Sequence, residues 1–151
     1  MGCYNMNNTS LKACITRTLK NEFGNCKIYI KKQEKPTLPA FFVRYIDVAQ
    51  ESAGMDFYNQ NYLVEVRYRP GNTIPDHELE THLELIGGQV VDLLFCISSD
   101  EISARAENLD YEISDGVLII TGKYTVKKRI VPKQDPYMQH LEENEEVRKY
   151  G

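Results

Sequence analysis

The stretch Leu109-Asp110-Tyr111-Glu112-Ile113-Ser114-Asp115-Gly116-Val117-Leu118-Ile119-Ile120-Thr121-Gly122-Lys123-Tyr124-Thr125-Val126 decides the fold. Asp-Gly between alternating apolar residues is a strong hairpin signal, because a type I′ turn needs positive φ at both central residues. A two-residue loop at Asp115-Gly116 also fixes the register. Ile113 then faces Leu118, Tyr111 faces Ile120 and Leu109 faces Gly122, all on one side. Glu112 against Ile119, Asp110 against Thr121 and Asn108 near Lys123 fall on the other. One face is apolar and the other largely polar, so a slip of one residue would invert the burial. The expectation is a sheet that covers a core with one face, in a small α+β domain.

Moving back toward the N-terminus, Asp76 reads as the N-cap of a helix whose buried stripe is Leu79, Leu83, Ile86, Val90, Leu93 and Leu94. Gly87-Gly88 costs roughly 1 kcal/mol per glycine relative to alanine, which predicts a bent middle or two shorter helices. Residues 96–103 read as a connector. Residues 57–69 form the longest strand candidate, closed by Pro70-Gly71-Asn72. Tyr58, Gln60, Tyr62, Val64, Val66 and Tyr68 share one of its faces. Phe57, Asn59, Asn61, Leu63, Glu65, Arg67 and Arg69 share the other. Residues 40–49 are apolar on both faces, which predicts a central strand, and 50–56 form a connection that protrudes. Residues 27–31 alternate, with Ile28 and Ile30 inward. A first helix starts at Thr9 or Ser10 and runs to about Phe23, carrying Leu11, Ile15 and Leu19 at helical spacing, with Gly24 as its C′ residue. The order is α-β-β-β-α-β-β: a mainly antiparallel sheet with two helices on one face. Residues 1–131 form this single domain. Residues 132–151, opened by Pro132 and Pro136, are a charged extension expected to form a peripheral helix, and residues 1–8 an arm.

A chain of 151 residues suits one domain. At 42% hydrophobic and 26% charged residues, its usage is ordinary for a packed globular core. A net charge of -4 argues against a duplex nucleic-acid binder, which would show a basic domain. Cys3, Cys14, Cys26 and Cys96 have no CxxC spacing, so free, buried thiols are expected ahead of a disulfide or a zinc site. Residues 1–10 lack the basic and apolar regions of a signal peptide. No apolar run approaches the roughly 18–20 residues a membrane span needs. A soluble protein made in a reducing cytoplasm, with no membrane contact, is the expectation.

Catalytic chemistry finds little support. His77 and His82 lie five apart, so on a helix they point ~140° away from each other and cannot share a metal as an i, i+4 pair does. Together with His140 they read as exposed surface histidines. Glu78, Glu80 and Glu84 form a solvated helix face, and Glu142, Glu143, Glu145 and Glu146 a charge run that is solvated or paired with a basic partner. No nucleophile elbow, P-loop or dinucleotide fingerprint occurs. No catalytic residue, metal ligand or cofactor is therefore assigned. Two patterns point to surfaces instead. The tyrosines at 58, 62 and 68 form either a core-facing strand or an intersubunit surface, tyrosine being enriched at interfaces. The strand pair 40–49 and 57–69 forms a protruding hairpin able to add to a neighbour's sheet edge.

The same element order, with Asn21-Glu22-Phe23-Gly24, Ile28-Tyr29, Leu38-Pro39-Ala40-Phe41-Phe42-Val43, Tyr62-Leu63-Val64-Glu65-Val66-Arg67-Tyr68 and Tyr111-Glu112-Ile113-Ser114-Asp115-Gly116-Val117-Leu118 leading to Tyr124-Thr125-Val126, resembles the tail-terminator proteins of long-tailed bacteriophages and their prophages. It spans residues 10–129. The glycine pair in the second helix and the charged tail depart from it. The resemblance implies a non-enzymatic virion protein, assembled in the host cytoplasm, that forms a ring of six copies on the head-proximal end of the tail tube. Its partners would be itself, the tail-tube protein and a neck or connector protein. DNA would pass through the lumen without specific binding. The family offers no motif to transfer, so strand position alone nominates the interface residues Met55, Asp56, Phe57, Tyr58, Tyr62 and Arg67. Two other readings stay open: a head-tail joining or tail-completion neck protein, and an unrelated small α+β enzyme or ligand-binding domain.

Overall fold

The computed structural model describes residues 10–99 and 102–130. The elements run α1 (Leu11–Glu22), β1 (Lys27–Tyr29), β2 (Ala40–Ser52), β3 (Phe57–Arg69), α2 (Asp76–Leu94), β4 (Cys96–Ser98), β5 (Ser103–Ser114) and β6 (Val117–Arg129). The strands form one six-stranded sheet in the order β1-β2-β3-β6-β5-β4. All pairs are antiparallel except β1 with β2. The fold is a single α+β domain with both helices on one sheet face.

The β5–β6 hairpin has the register its sequence dictates, with Ile113 opposite Leu118, Tyr111 opposite Ile120 and Leu109 opposite Gly122. Asp115 and Gly116 take φ of 53° and 75°, the positive values a type I′ turn requires. A bulge near Glu107 bends β5 as it leaves the hairpin.

The core lies between the sheet and the helices. Phe41, Val43, Val64, Val66, Leu118, Ile120 and Tyr124 supply the sheet side. Leu11, Ile15 and Leu19 come from α1, and Leu83, Ile86, Val90 and Leu94 from α2. The Tyr124 hydroxyl donates to the Leu94 carbonyl at 2.6 Å, tying β6 to the end of α2. Burial pushes that phenol far above its ordinary range. The α1 N-terminus is closed twice, by Ser10 Oγ accepting from the Ala13 N–H (3.1 Å) and by the Tyr45 hydroxyl accepting from the Lys12 N–H (2.8 Å).

Several expectations are corrected. The connector at 96–103 contains a real strand, β4, which was too short to show a period. The second helix is one continuous element of 19 residues despite Gly87-Gly88. Its N-cap is Pro75, and Asp76 is its first helical residue. Gly24 does not adopt the left-handed conformation; α1 ends on a Phe23 N–H to Leu19 carbonyl bond. Chain β1 stops at Tyr29, leaving Ile30 exposed rather than inward. Strand β2 is central only over its first three residues, where β1 covers it. Cys14 and Cys26 are buried free thiols, but Cys96 is exposed. His82 is half-buried against Tyr68, not a free surface histidine. The arm at 1–8, Cys3, His140 and the extension from 132 lie outside the described residues.

Candidate assembly surface

Chain β2 continues for ten residues after β1 ends, and β3 and β6 run alongside it. From Val43 to Ser52, β2 has no strand partner on its outer side among the described residues. The far ends of β2, β3 and β6 therefore form a three-stranded flap that projects beyond the helices. Its tip is closed by Ala53 N–H to the Phe57 carbonyl and by Ile130 N–H to the Asp56 carbonyl, with Gly54 at φ 117° in the turn. On the side away from the helices a polar ladder crosses four strands. Asn61 donates to Glu51, and the Thr125 hydroxyl bridges Asn61 and Glu107. That ladder ties the three strands of the flap to one another and to β5.

Apolar side chains are left outward here. Ile46 and Val48 on β2, Met55 in the turn, Phe57 on β3 and Ile130 beyond β6 are all exposed, Met55 at 94%. Ile46 sits in the bulge where the β2–β3 register shifts between Tyr45 and Asp47. The amino group of Lys127 sits 4.8 Å above the Phe57 ring. An unpaired strand edge bordered by apolar residues is a template for pairing with another chain.

Of the residues nominated from the sequence, Met55, Asp56 and Phe57 are exposed at the flap tip and Tyr58 is half-buried beside them. Arg67 shares the sheet face of Phe57 but lies ten residues along β3, away from the tip. Tyr62 is buried, its ring 5.0 Å from that of Tyr45 and its hydroxyl donating to Gln60. Tyr68 is buried too, with its hydroxyl 3.0 Å from His82 Nε2.

Sequence reasoning missed Glu65. It points to the polar face yet is buried, because Arg44 and Arg67 each bring Nε to the same oxygen, at 2.7 and 3.0 Å. Burial acts to raise its pKa, but the hydrogen bonds and charges of the two arginines outweigh it and hold the carboxyl below the ordinary range. The signal was present as a cross-strand alignment: Arg44 pairs with Glu65, and Arg67 lies two residues along the same face. No group of three or more metal-ligating side chains occurs among the described residues. No helix among them is long and apolar enough to cross a membrane.

Comparison with known proteins decides the family. A sequence profile described as "Phage tail terminator protein" matches residues 10–136. The chain belongs to the phage tail terminator family. Tail terminators are structural proteins, so this terminator is a bacteriophage virion component that meets other tail or neck proteins. No curated protein matches the chain. One similar solved structure, of a protein without a descriptive name, aligns at 12% identity over 86% of this terminator and 98% of its own chain, with a TM-score of 0.40.

Proposed function

We propose that this terminator closes into a ring, with six copies as the expected number, that caps the head-proximal end of the tail tube and joins it to the neck. The observation that carries the reading is the open edge of β2 on a projecting flap with exposed Ile46, Val48, Met55 and Phe57. Such an edge meets a different surface on the next copy, and a heterologous contact whose rotation closes makes a ring. Met55, Asp56, Phe57, Tyr58 and Arg67 meet neighbours in this arrangement, with Tyr62 supporting them from the core.

The mechanism is occupancy rather than catalysis. A growing tube ends in an unpaired surface, the ring covers it, and the ring's other face differs from a tube subunit, so growth stops. Tail-tube protein binds one face and a connector protein the other, while DNA passes through the lumen without specific contacts.

Electron microscopy and native mass measurement of the purified chain test the ring. Co-purification tests the cap: the terminator retains tail-tube protein. A ring that retains only connector protein would move the assignment to a head-tail joining protein, and a solitary monomer in the assembled virion would end the ring reading.

A further inference from the structure

On the sheet face away from the helices, β1, β2 and β3 frame a shallow groove with a strong charge imbalance. Lys31, Lys32, Arg44, Arg67 and Arg69 line it, and Glu65 is the one carboxylate lining it among the described residues. All five cations are exposed. Arg44 and Arg67 engage Glu65 through Nε and still remain 62% and 46% exposed. The groove floor includes the stacked rings of Tyr29 and Phe42, 5.4 Å apart. In a chain of net charge -4, this concentration of cations calls for an acidic occupant.

The sequence contains one. Residues 138–147 carry Glu142, Glu143, Glu145 and Glu146 and no lysine or arginine, with Met138 and Leu141 available for the aromatic floor. Its path matters. The described chain reaches Ile130 at the flap tip, bonded to Asp56, whereas the groove lies at the opposite end of β3, around Glu65 to Arg69. Along a strand rising ~3.3 Å per residue, that separation from Phe57 is roughly 26–40 Å. Twelve residues from Ile130 to Glu142 span at most ~40 Å when fully extended. Within one copy the segment would have to double back along its own sheet almost fully stretched. A neighbouring copy that abuts the flap offers its groove without that constraint.

We propose that the basic groove of each copy holds the acidic segment 138–147 of an adjoining copy, so that arms as well as sheet edges lock the assembly. This rests on the ring reading above and names the partner of the Arg67 side of that surface. Each copy gives one arm and receives one, as a closed heterologous ring requires.

The test uses the full chain in unlabelled and nitrogen-isotope-labelled forms, mixed under dissociating conditions and reassembled. Native mass reads the ring. A carbodiimide then joins lysine amines to carboxylates in contact, and mass spectrometry reads the joined peptides. The expected result is mixed-isotope pairs linking Lys31 or Lys32 to the peptide bearing Glu142 to Glu146. Arg69→Glu should lower their yield several-fold, as should a tenfold rise in salt, which shortens the screening length. Rings that give only same-isotope pairs, or none, overturn the arm exchange and leave the ring standing. Retention of duplex DNA by the chain, lost in Arg69→Glu and without mixed pairs, would reassign the groove to phosphates and overturn it as well. A sample that stays monomeric overturns both readings.

Discussion

Gly87 of α2 meets the ring of Tyr111 on β5 so closely that a Cβ on the glycine would stand 2.9 Å from ring atoms Cδ1 and Cε1. The glycine lets the helix lie directly against the sheet's aromatic side chain. Its neighbour Gly88 has nothing within 4 Å of the same position. The two glycines, identical in sequence terms, thus have opposite expected responses to alanine. Gly88→Ala should gain up to about 1 kcal/mol from helix propensity. Gly87→Ala should lose about 1–2 kcal/mol, because overpacking at Tyr111 exceeds the same propensity gain. In a Tyr111→Ala background the Gly87→Ala loss should vanish or reverse. Urea unfolding of the four proteins measures the coupling.

The same pair explains what the sequence reveals and what it hides. The β5–β6 hairpin was legible because Asp115-Gly116 encodes its own geometry and the flanking alternation encodes its register. The helices were legible from the spacing of Leu11, Ile15 and Leu19 and of Leu83, Ile86 and Val90. Continuity of α2 was not, since local propensity counts Gly87 as a defect and only the packing at Tyr111 gives it a purpose. The three residues of β4 are too few to carry a period. The face of Glu65 was legible but its burial was not, because that burial depends on two arginines, one of them on another strand. The open edge of β2 was half legible: the strand pair reads as a protruding hairpin able to join a neighbour's sheet, yet apolar residues on both faces suggest a central strand, and its true neighbours are set by where β1 turns away.

Tyr45 links the first helix to the sheet by accepting the Lys12 N–H, and the Lys12 amino group lies 4.6 Å from the centre of its ring. Tyr45→Phe leaves that helix-terminal donor without its acceptor and should cost about 1 kcal/mol at neutral pH. Burial raises the phenol's pKa to about 12, outweighing the helix N–H that favours its ionised form. A raised value in the folded state means the neutral phenol is the one stabilised. That contribution is complete below the unfolded value of about 10 and disappears as pH rises through the folded value. The wild-type chain should therefore lose stability between these limits faster than Tyr45→Phe does, as followed by circular dichroism during alkaline titration.

Glu65 gives the acid limb. Its carboxyl is depressed by Arg44 and Arg67, so its stabilisation is present above the unfolded value of about 4.3 and is lost as pH falls through the folded one. Because both arginines are substantially exposed, screening keeps the contribution small, about 1 kcal/mol at neutral pH and low salt. Glu65→Gln should be less stable than wild type by that amount at pH 7, and the two should converge in acid. Unchanged separation of their urea midpoints down to pH 3 would contradict the assignment.

Assembly should be separable from folding, because the flap's apolar residues contribute little to the core. Ile46→Lys puts a charge on the open edge of β2, the device by which edge strands are kept from pairing, and Met55→Glu charges the most exposed position of the tip. Neither side chain belongs to the buried cluster, so each variant should unfold within about 0.5 kcal/mol of wild type. Both should nonetheless abolish rings in native mass spectra. Leu85→Lys provides the contrast, since Leu85 is equally apolar and 60% exposed but sits on α2, away from the flap. It should leave the rings intact. If all three variants assembled alike, exposure of these residues would have no bearing on subunit contact, and the β2 edge would not be the closing surface. If Leu85→Lys alone dispersed the rings, the contact would run through the helical layer instead.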